Sequence, residues 1–461
     1  MASEATIPDT VALLRRTFRS GKTRSIEWRR EQLRALERMM REQEQVFLAT
    51  MRADMRKPAI EAWGGDINYV AREAQHAREN LEDWTADEPV ATNLTNMPGS
   101  SRVVHEPLGV VLIIGAWNYP VNLVLAPLAG ALAAGNCAVL KPSEVTPETS
   151  KALAEWVPKY LDPSAVAVVE GGVAETTAVL AERFDHIFYT GNGTVGRIVM
   201  EAATKHLTPV TLELGGKCPA IIDEHVDLDV AVRRVLWGKF FNAGQTCLAP
   251  DYVLVHERVE AAFVAKAKAT LLEFFGADPQ TSDSYTRIVN ERHWKRVMGL
   301  LEGNPGEIIA GGTGDLADKY VAPTLVRNVS PDSKLMQEEI FGPILAILPI
   351  KSIDDAIEFV LDREKPLALY VFSKHSRTSQ RVIDETSSGG ACINEVVAHF
   401  TVTDLPFGGV GASGFGSYHG RASFETFSHR KSVLSKSTFG EPPIRYAPYT
   451  ESSQKWMKRF L

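Results

Sequence analysis

The chain has 461 residues, 44% hydrophobic and 23% charged, a balance that excludes wholesale disorder and, at roughly 150 residues per domain, a single small module. Lys and Arg number 50 against 57 Asp and Glu, for a net charge of -7, and no basic run is long enough to track a phosphate backbone, so no nucleic-acid partner is expected. Four cysteines, Cys137, Cys218, Cys247 and Cys392, form no CxxC pair and have no His at ligand spacing, so neither a disulfide framework nor a metal site is expected.

The N-terminal MASEATIPDT has neither a cationic start leading into an apolar stretch nor an Arg-rich transit pattern, which predicts a cytoplasmic protein. Leu33, Leu36 and Met40 recur on one face of a helical stretch, and a second helix is predicted over about Ile67 to Trp84. Asp87 to Ser101, with Pro89, Pro98 and Gly99, reads as irregular or hairpin structure.

From Val110 onward short β-branched runs alternate with longer amphipathic ones. Strands are predicted at Val110 to Gly115, Cys137 to Leu140, Ala165 to Val169 and His186 to Tyr189, with helices between them and at Val195 to His206. This rhythm builds a parallel sheet by right-handed crossovers. A second alternation follows, with strands near Ala220 to Ile222, Tyr252 to Val255, Ile344 to Leu348, Ala368 to Phe372 and Ala391 to Asn394. The apolar region Val110 to Gly135 is interrupted by Asn118, Pro120, Asn122 and Pro127 before it reaches the ~20 residues of a membrane span, so no transmembrane segment is expected. Leu405 to Gly420 holds six glycines and reads as a turn-rich loop.

Several segments carry residues suited to chemistry. Gly191-Asn192-Gly193-Thr194-Val195-Gly196 fits G-x-G-x-x-G between a strand and a helix, which suits a dinucleotide turn and equally an ordinary glycine-rich turn. Lys141-Pro142-Ser143-Glu144 follows a strand at the edge where open α/β sheets bind ligands; it can read ribose hydroxyls or be a solvated charge pair. Cys247 follows Asn242-Ala243-Gly244-Gln245-Thr246, a small and polar setting unlike the apolar neighbours of the other cysteines, and is either a nucleophile or a core thiol. Glu213, at a strand end before Gly215 and Gly216, is a candidate general base or a plain strand-terminal charge. Asn118, in Trp117-Asn118-Tyr119-Pro120, can donate to an oxyanion or shape a turn.

Together these segments resemble the aldehyde dehydrogenase superfamily, most closely its class 3 branch of fatty and aromatic aldehyde dehydrogenases. The resemblance covers nearly the whole chain through PLGVVLIIGAWNYP, LKPSE, FYTGNGTVG, VTLELGGKCP, WGKFFNAGQTC, QEEIFGPIL and LPFGGVGASGFGSYHGRASFETFSH. It implies an α/β fold: a Rossmann-like NAD(P)-binding domain over 1–86 and 103–212 with N-terminal helices, an α/β catalytic domain over 213–394, and a small β bridging and oligomerisation arm with the C-terminal tail over 87–102 and 395–461. It makes Cys247 the nucleophile, Glu213 the base that activates the deacylating water, and Asn118 the oxyanion-hole amide. Lys141 and Glu144 would hold the adenosine ribose, Glu339 the nicotinamide ribose, Phe341 the nicotinamide ring, and Gly191 and Gly196 the cofactor turn. It further implies a homodimer that oxidises medium-chain to long-chain aliphatic or aromatic aldehydes, and Val396, Val397, Phe400 and Val402 are expected near the substrate entrance. The carboxylate of Glu144 would repel a 2'-phosphate, so NAD is expected to be preferred and NADP tolerated. The alternatives are a semialdehyde or acylating, coenzyme A-dependent dehydrogenase, a thiol esterase without cofactor, or a catalytically idle structural relative.

Overall fold

The computed structural model describes residues 6–439 and 445–460; residues 1–5 of the N-terminal stretch read above, and Leu461 of the tail, lie outside them. Three principal sheets organise the chain. The first has six strands in the order Gly414–Phe415, Val210–Leu214, His186–Gly191, Val110–Ile114, Cys137–Lys141, Val166–Val168. All its pairings are parallel except that of Gly414–Phe415 with Val210–Leu214. The chain winds outward in one direction from Val110–Ile114 and then returns to add His186–Gly191 on the other side. The sheet therefore has a topological switch point beside Val110–Ile114, and the crevice beyond the carboxyl ends of its strands is where such sheets bind ligands.

The second sheet has seven strands, in the order Glu307–Ala310, Thr324–Arg327, Ile344–Ile350, Tyr252–His256, Pro219–Ile222, Ala368–Phe372, Gly390–Ile393. Only Glu307–Ala310 runs antiparallel to its neighbour. The third sheet joins Glu88–Val90, Gly99–Pro107 and Ser428–Lys436, all antiparallel. Sheet membership departs from the division expected from sequence in three places, the first being that Glu213 and Leu214, expected in the catalytic domain, end strand Val210–Leu214 of the first sheet. The strand Gly99–Pro107 runs on past residue 102, and Gly414–Phe415, expected in the arm, pairs with the first sheet through Gly414 opposite Glu213.

Helix Asn122–Ala134 is buried along all of its length, which explains why it shows no amphipathic period. It lies between the first sheet and the N-terminal helices Ile26–Glu42 and Asn68–Thr85, whose inward residues Leu33, Leu36, Met40, Val70 and Leu81 are at most 2% exposed. Gly135 closes it with φ +91; the Arg29 guanidinium fills the space a side chain there would need. No helix among the described residues is long and apolar enough to cross a membrane.

Candidate active site

The carboxyl ends of Val110–Ile114, His186–Gly191 and Val210–Leu214 open into a cavity of about 1270 Å³ that reaches across to the second sheet. Asn118, Lys141, Glu144, Gly191, Glu213, Cys247, Glu339 and Phe341 all line it, so eight of the nine residues singled out in the sequence meet in one space. Gly196 stands back from the wall: a Cβ there would press on the Leu214 side chain at 3.1 Å, so this glycine sets how closely helix Gly193–Thr204 packs on the sheet.

Cys247 ends a tightly held loop. Asn242, Ala243 and Gly244 have φ of +52, +52 and +71, and two consecutive non-glycine residues in the left-handed region cost about 1–3 kcal/mol each unless their surroundings hold them. Here they do. The Asn242 N–H donates to Glu61 Oε2 at 2.9 Å, and Asn242 Nδ2 donates to the carbonyls of Asn118 and Gln245, both at 3.0 Å. Gln245 Nε2 donates to the Asn242 and Arg287 carbonyls while Gln245 Oε1 accepts from the Val289 N–H. Any side chain on Gly244 would overlap the Gly342 carbonyl. The loop is thereby fixed against the backbone that carries Phe341. The Cys247 sulfur lies against the N–H groups of Cys247 and Leu248, yet burial, with Glu339 and Glu213 nearby, pushes the thiol well above its ordinary range. A proton acceptor is needed before it can attack.

Glu213 is 3% exposed, and neither carboxylate oxygen has a protein hydrogen-bond partner. Burial alone holds its carboxyl well above the usual range. Thr190 sits opposite it in the parallel register, also with its hydroxyl buried and unpartnered. Tyr418 adds a third unpartnered buried polar atom and feels the charges of Glu213 and Cys247. Orphaned polar atoms cost stability, and their concentration at the cavity floor marks a place where a reacting group or water is meant to sit. The Asn118 carbonyl accepts two hydrogen bonds, while its side-chain amide makes none to the protein among the described residues.

Lys141 is 2% exposed; its Nζ donates to the carbonyls of Pro142 at 2.8 Å and Gly171 at 2.6 Å, and burial lowers its pKa. Glu144 is exposed at the same rim. Asn192 caps helix Gly193–Thr204 by accepting from the Val195 N–H, and the helix start faces the cavity through Asn192, Thr194 and Val195. At the other end Glu339 receives the Gly216 N–H and is pushed up to about 8 by burial, with Asp251 adding to the shift. Phe341, at φ +43, meets Trp117 edge-on at 5.3 Å. A dinucleotide fits this arrangement: a helix N-terminus suits phosphate, carboxylates stand at both ends for ribose hydroxyls, and Gly191 and Gly215 are hemmed in by Tyr189 and Glu339 so that no side chain intrudes.

Apolar walls complete the cavity. Tyr69 stacks on Phe400 at 4.6 Å, Phe400 meets Phe407 edge-on at 5.1 Å, and a second aromatic group, Tyr119, Trp237 and Phe241, also lines the cavity. Of the four residues expected near the entrance, Val397 and Phe400 line the cavity. Val396 is instead fully buried core, and Val402 is exposed away from the lining. Sequence reasoning missed Glu61, Thr190, Tyr69 and Tyr418; Thr190 and Tyr418 stood inside quoted motifs, while Glu61 and Tyr69 lie where periodicity alone predicts packing.

The aldehyde dehydrogenase family model matches residues 1–433. The chain is 52% identical over 453 residues to aldehyde dehydrogenase family 3 member A2 of Mus musculus, covering 98% of this chain and 93% of that one. It is 50% identical to the dimeric NADP-preferring aldehyde dehydrogenase of Rattus norvegicus, with 96% and 98% covered. Among solved structures, the substrate-bound state of Staphylococcus aureus AldH superposes with a TM-score of 0.96 at 43% identity, covering 99% of this chain and all of that one.

Proposed function

The chain belongs to the aldehyde dehydrogenase family and is an aldehyde-oxidising, NAD(P)-dependent enzyme, and from that premise we propose which residues do the work. Cys247 adds to the aldehyde carbonyl as the thiolate, its proton having been released to solvent water. The Asn118 amide and the Cys247 N–H hold the oxyanion, each such donor being worth about 3–4 kcal/mol in acyl transfer. When bound, the nicotinamide dinucleotide supplies the hydride acceptor. Glu213 takes the proton of the water that hydrolyses the resulting thioester and releases the carboxylic acid. The observation that carries this reading is the buried, partnerless Glu213 carboxylate in one cavity with Cys247 and Asn118.

In the same reading the first sheet and its helices hold the cofactor, with Lys141 and Glu144 at the adenosine ribose, Gly191 and Gly196 shaping the turn, Glu339 at the nicotinamide ribose and Phe341 beside the ring. The second sheet carries the nucleophile, and the three-stranded sheet is the bridging arm. NAD is preferred and NADP accepted. A 2'-phosphate would meet Glu144, and Lys141, committed to two carbonyls, offsets little of that repulsion. Since a relative of 50% identity is named NADP-preferring, the ratio of kcat/KM for the two cofactors, in the native protein and in Glu144→Gln, decides the point.

The aromatic walls favour medium-chain to long-chain aliphatic and aromatic aldehydes, each buried methylene contributing about 0.8 kcal/mol. The protein is read as a cytoplasmic homodimer. Its four cysteines are all free, which fits a reducing compartment, and Ser428–Lys436 is a nine-residue edge strand of the kind that another chain can extend. Cell fractionation and light scattering test these two points. The central experiment follows reduced-nicotinamide absorbance with aldehydes from acetaldehyde to decanal, benzaldehyde and succinic semialdehyde. Cofactor-dependent turnover with KM falling along the aliphatic series is expected; a preference for the semialdehyde overturns the substrate class.

A further inference from the structure

Lys57 and Asp66 form an ion pair at 2.8 Å with both side chains fully buried. Removing two charges from water commonly costs more than their attraction returns, and an apolar pair of the same volume would be as stable or more so. The pair therefore calls for a reason other than stability, and its contacts supply one. Lys57 Nζ makes its other hydrogen bond to the main-chain carbonyl of Asn118 at 3.1 Å and lies 3.9 Å from the centre of the Tyr119 ring. Asp66 Oδ1 accepts from the N–H groups of Val121 and Asn122, both at 3.1 Å. Every side-chain hydrogen bond that leaves the pair falls on residues 118–122, while the Lys57 charge also acts on the buried carboxyl of Glu61.

The Asn118 carbonyl is also a shared node. Besides Lys57 it accepts from Asn242 Nδ2, which holds the Gln245 carbonyl with its other hydrogen. A second tie runs from the Tyr119 hydroxyl to Thr246 Oγ1 at 2.8 Å. The segment bearing the Asn118 amide is thus pinned to the loop bearing Cys247, and Lys57 holds that joint from behind.

We propose that Lys57, anchored by Asp66, is a positioning residue for the oxyanion hole, fixing the Asn118 amide relative to the Cys247 sulfur through the Asn118 carbonyl. This rests on the roles proposed above for Asn118 and Cys247. Loss of the pin lets the amide drift, and misplacement by about 1 Å costs on the order of 100-fold in such sites.

The test is a double-mutant cycle between Lys57→Met with Asp66→Asn, a neutral pair that keeps the Oδ1 acceptor, and Asn118→Ala. Three quantities are read: the thermal midpoint, the affinity for NAD, and acylation, both as the burst of reduced cofactor and as cofactor-independent hydrolysis of p-nitrophenyl acetate. With NAD affinity retained, the neutral pair is expected to slow both acylations about 10- to 100-fold. In the Asn118→Ala background it should change them less than about twofold, because the group it positions is gone. An equal slowing in both backgrounds overturns the inference. If Asn118→Ala alone leaves acylation unchanged, it is the oxyanion role of Asn118 that fails. Should the neutral pair not fold, Asp66→Asn alone goes through the same cycle, and an unchanged acylation rate there overturns the proposal.

Discussion

The carboxylate of Glu339 occupies the space in which a side chain on Gly215 would begin, and the Gly216 N–H holds it there. Gly215→Ala must therefore displace Glu339. The expected result is a KM for NAD raised about tenfold or more, equivalent to at least about 1.4 kcal/mol, with cofactor-free ester hydrolysis by Cys247 largely kept. A variant whose KM for NAD is unchanged would show that Glu339 does not hold the cofactor.

Cys247→Ala should abolish aldehyde oxidation and ester hydrolysis together while NAD affinity and thermal midpoint stay close to those of the native protein, since only a sulfur at the cavity wall is removed. Cys218 makes a useful contrast. It is fully buried, and its Sγ donates to the Cys247 carbonyl at 3.3 Å. Cys218→Ala should cost about 1–2 kcal/mol of stability and leave the chemistry in place. Residual turnover in Cys247→Ala beyond the uncatalysed rate would remove it as nucleophile.

What the sequence disclosed followed physical rules that act locally. The strand and helix alternation from Val110 to His206 is legible because β-branched runs and amphipathic runs have different periods, and in the structure those strands differ from the sequence reading by at most two residues at either end. Cys247 and Glu213 stood out because reactive residue types there sit beside glycines or small polar residues, and Asn118 because its amide follows the end of a sheet strand. Lys57, Glu61 and Asp66 did not. In sequence a charge beside Pro58 or in Trp63-Gly64-Gly65-Asp66 reads as solvated, and only the fold reveals that Lys57 and Asp66 are sealed from water. Helix Glu291–Gly299 and strands Glu307–Ala310 and Thr324–Arg327 are likewise not legible in the sequence.

Glu213→Gln separates the two halves of the reaction. Acylation should still occur once per site, giving a burst of reduced cofactor, after which the thioester persists and steady turnover falls about 100-fold or more, the scale of general-base catalysis. Because burial raises the Glu213 carboxyl, the native deacylation rate should climb with pH as the carboxylate forms, and that limb should vanish in the variant. Mass spectrometry of the stalled protein checks the first point. Absence of both burst and acyl-enzyme would move Glu213 to an earlier step.

Glu61 gives a stability test independent of catalysis. Its carboxyl, pushed by burial from an ordinary 4.5 to about 7, accepts from the Asn242 N–H and from the Thr286 hydroxyl. Between those two values the folded chain keeps a proton that the unfolded chain has released, so stability falls as pH rises through this window and the loss is complete above it. Glu61→Gln retains an acceptor without a titrating charge. Its thermal midpoint relative to the native protein should therefore be higher at pH 8 than at pH 5; equal differences at the two pH values would mean that Glu61 ionises as an ordinary carboxylate.

Phe400 is the wall residue through which substrate choice can be read. It stacks on Tyr69 and meets Phe407 and His419 edge-on, at 4.6, 5.1 and 4.6 Å, so its ring is held in place while one surface lines the cavity. Phe400→Ala removes that surface without touching Cys247, Glu213 or Asn118. An octanal chain that had packed on the ring would lose apolar contact worth about 1–2 kcal/mol, which is roughly a fivefold to thirtyfold rise in KM. Acetaldehyde, too short to reach past the reacting carbonyl, should keep its KM and kcat. The comparison of kcat/KM for octanal, benzaldehyde and acetaldehyde in native and variant protein is decisive, because damage to the catalytic residues would lower all three alike, whereas loss of a substrate wall lowers only those long or broad enough to touch it.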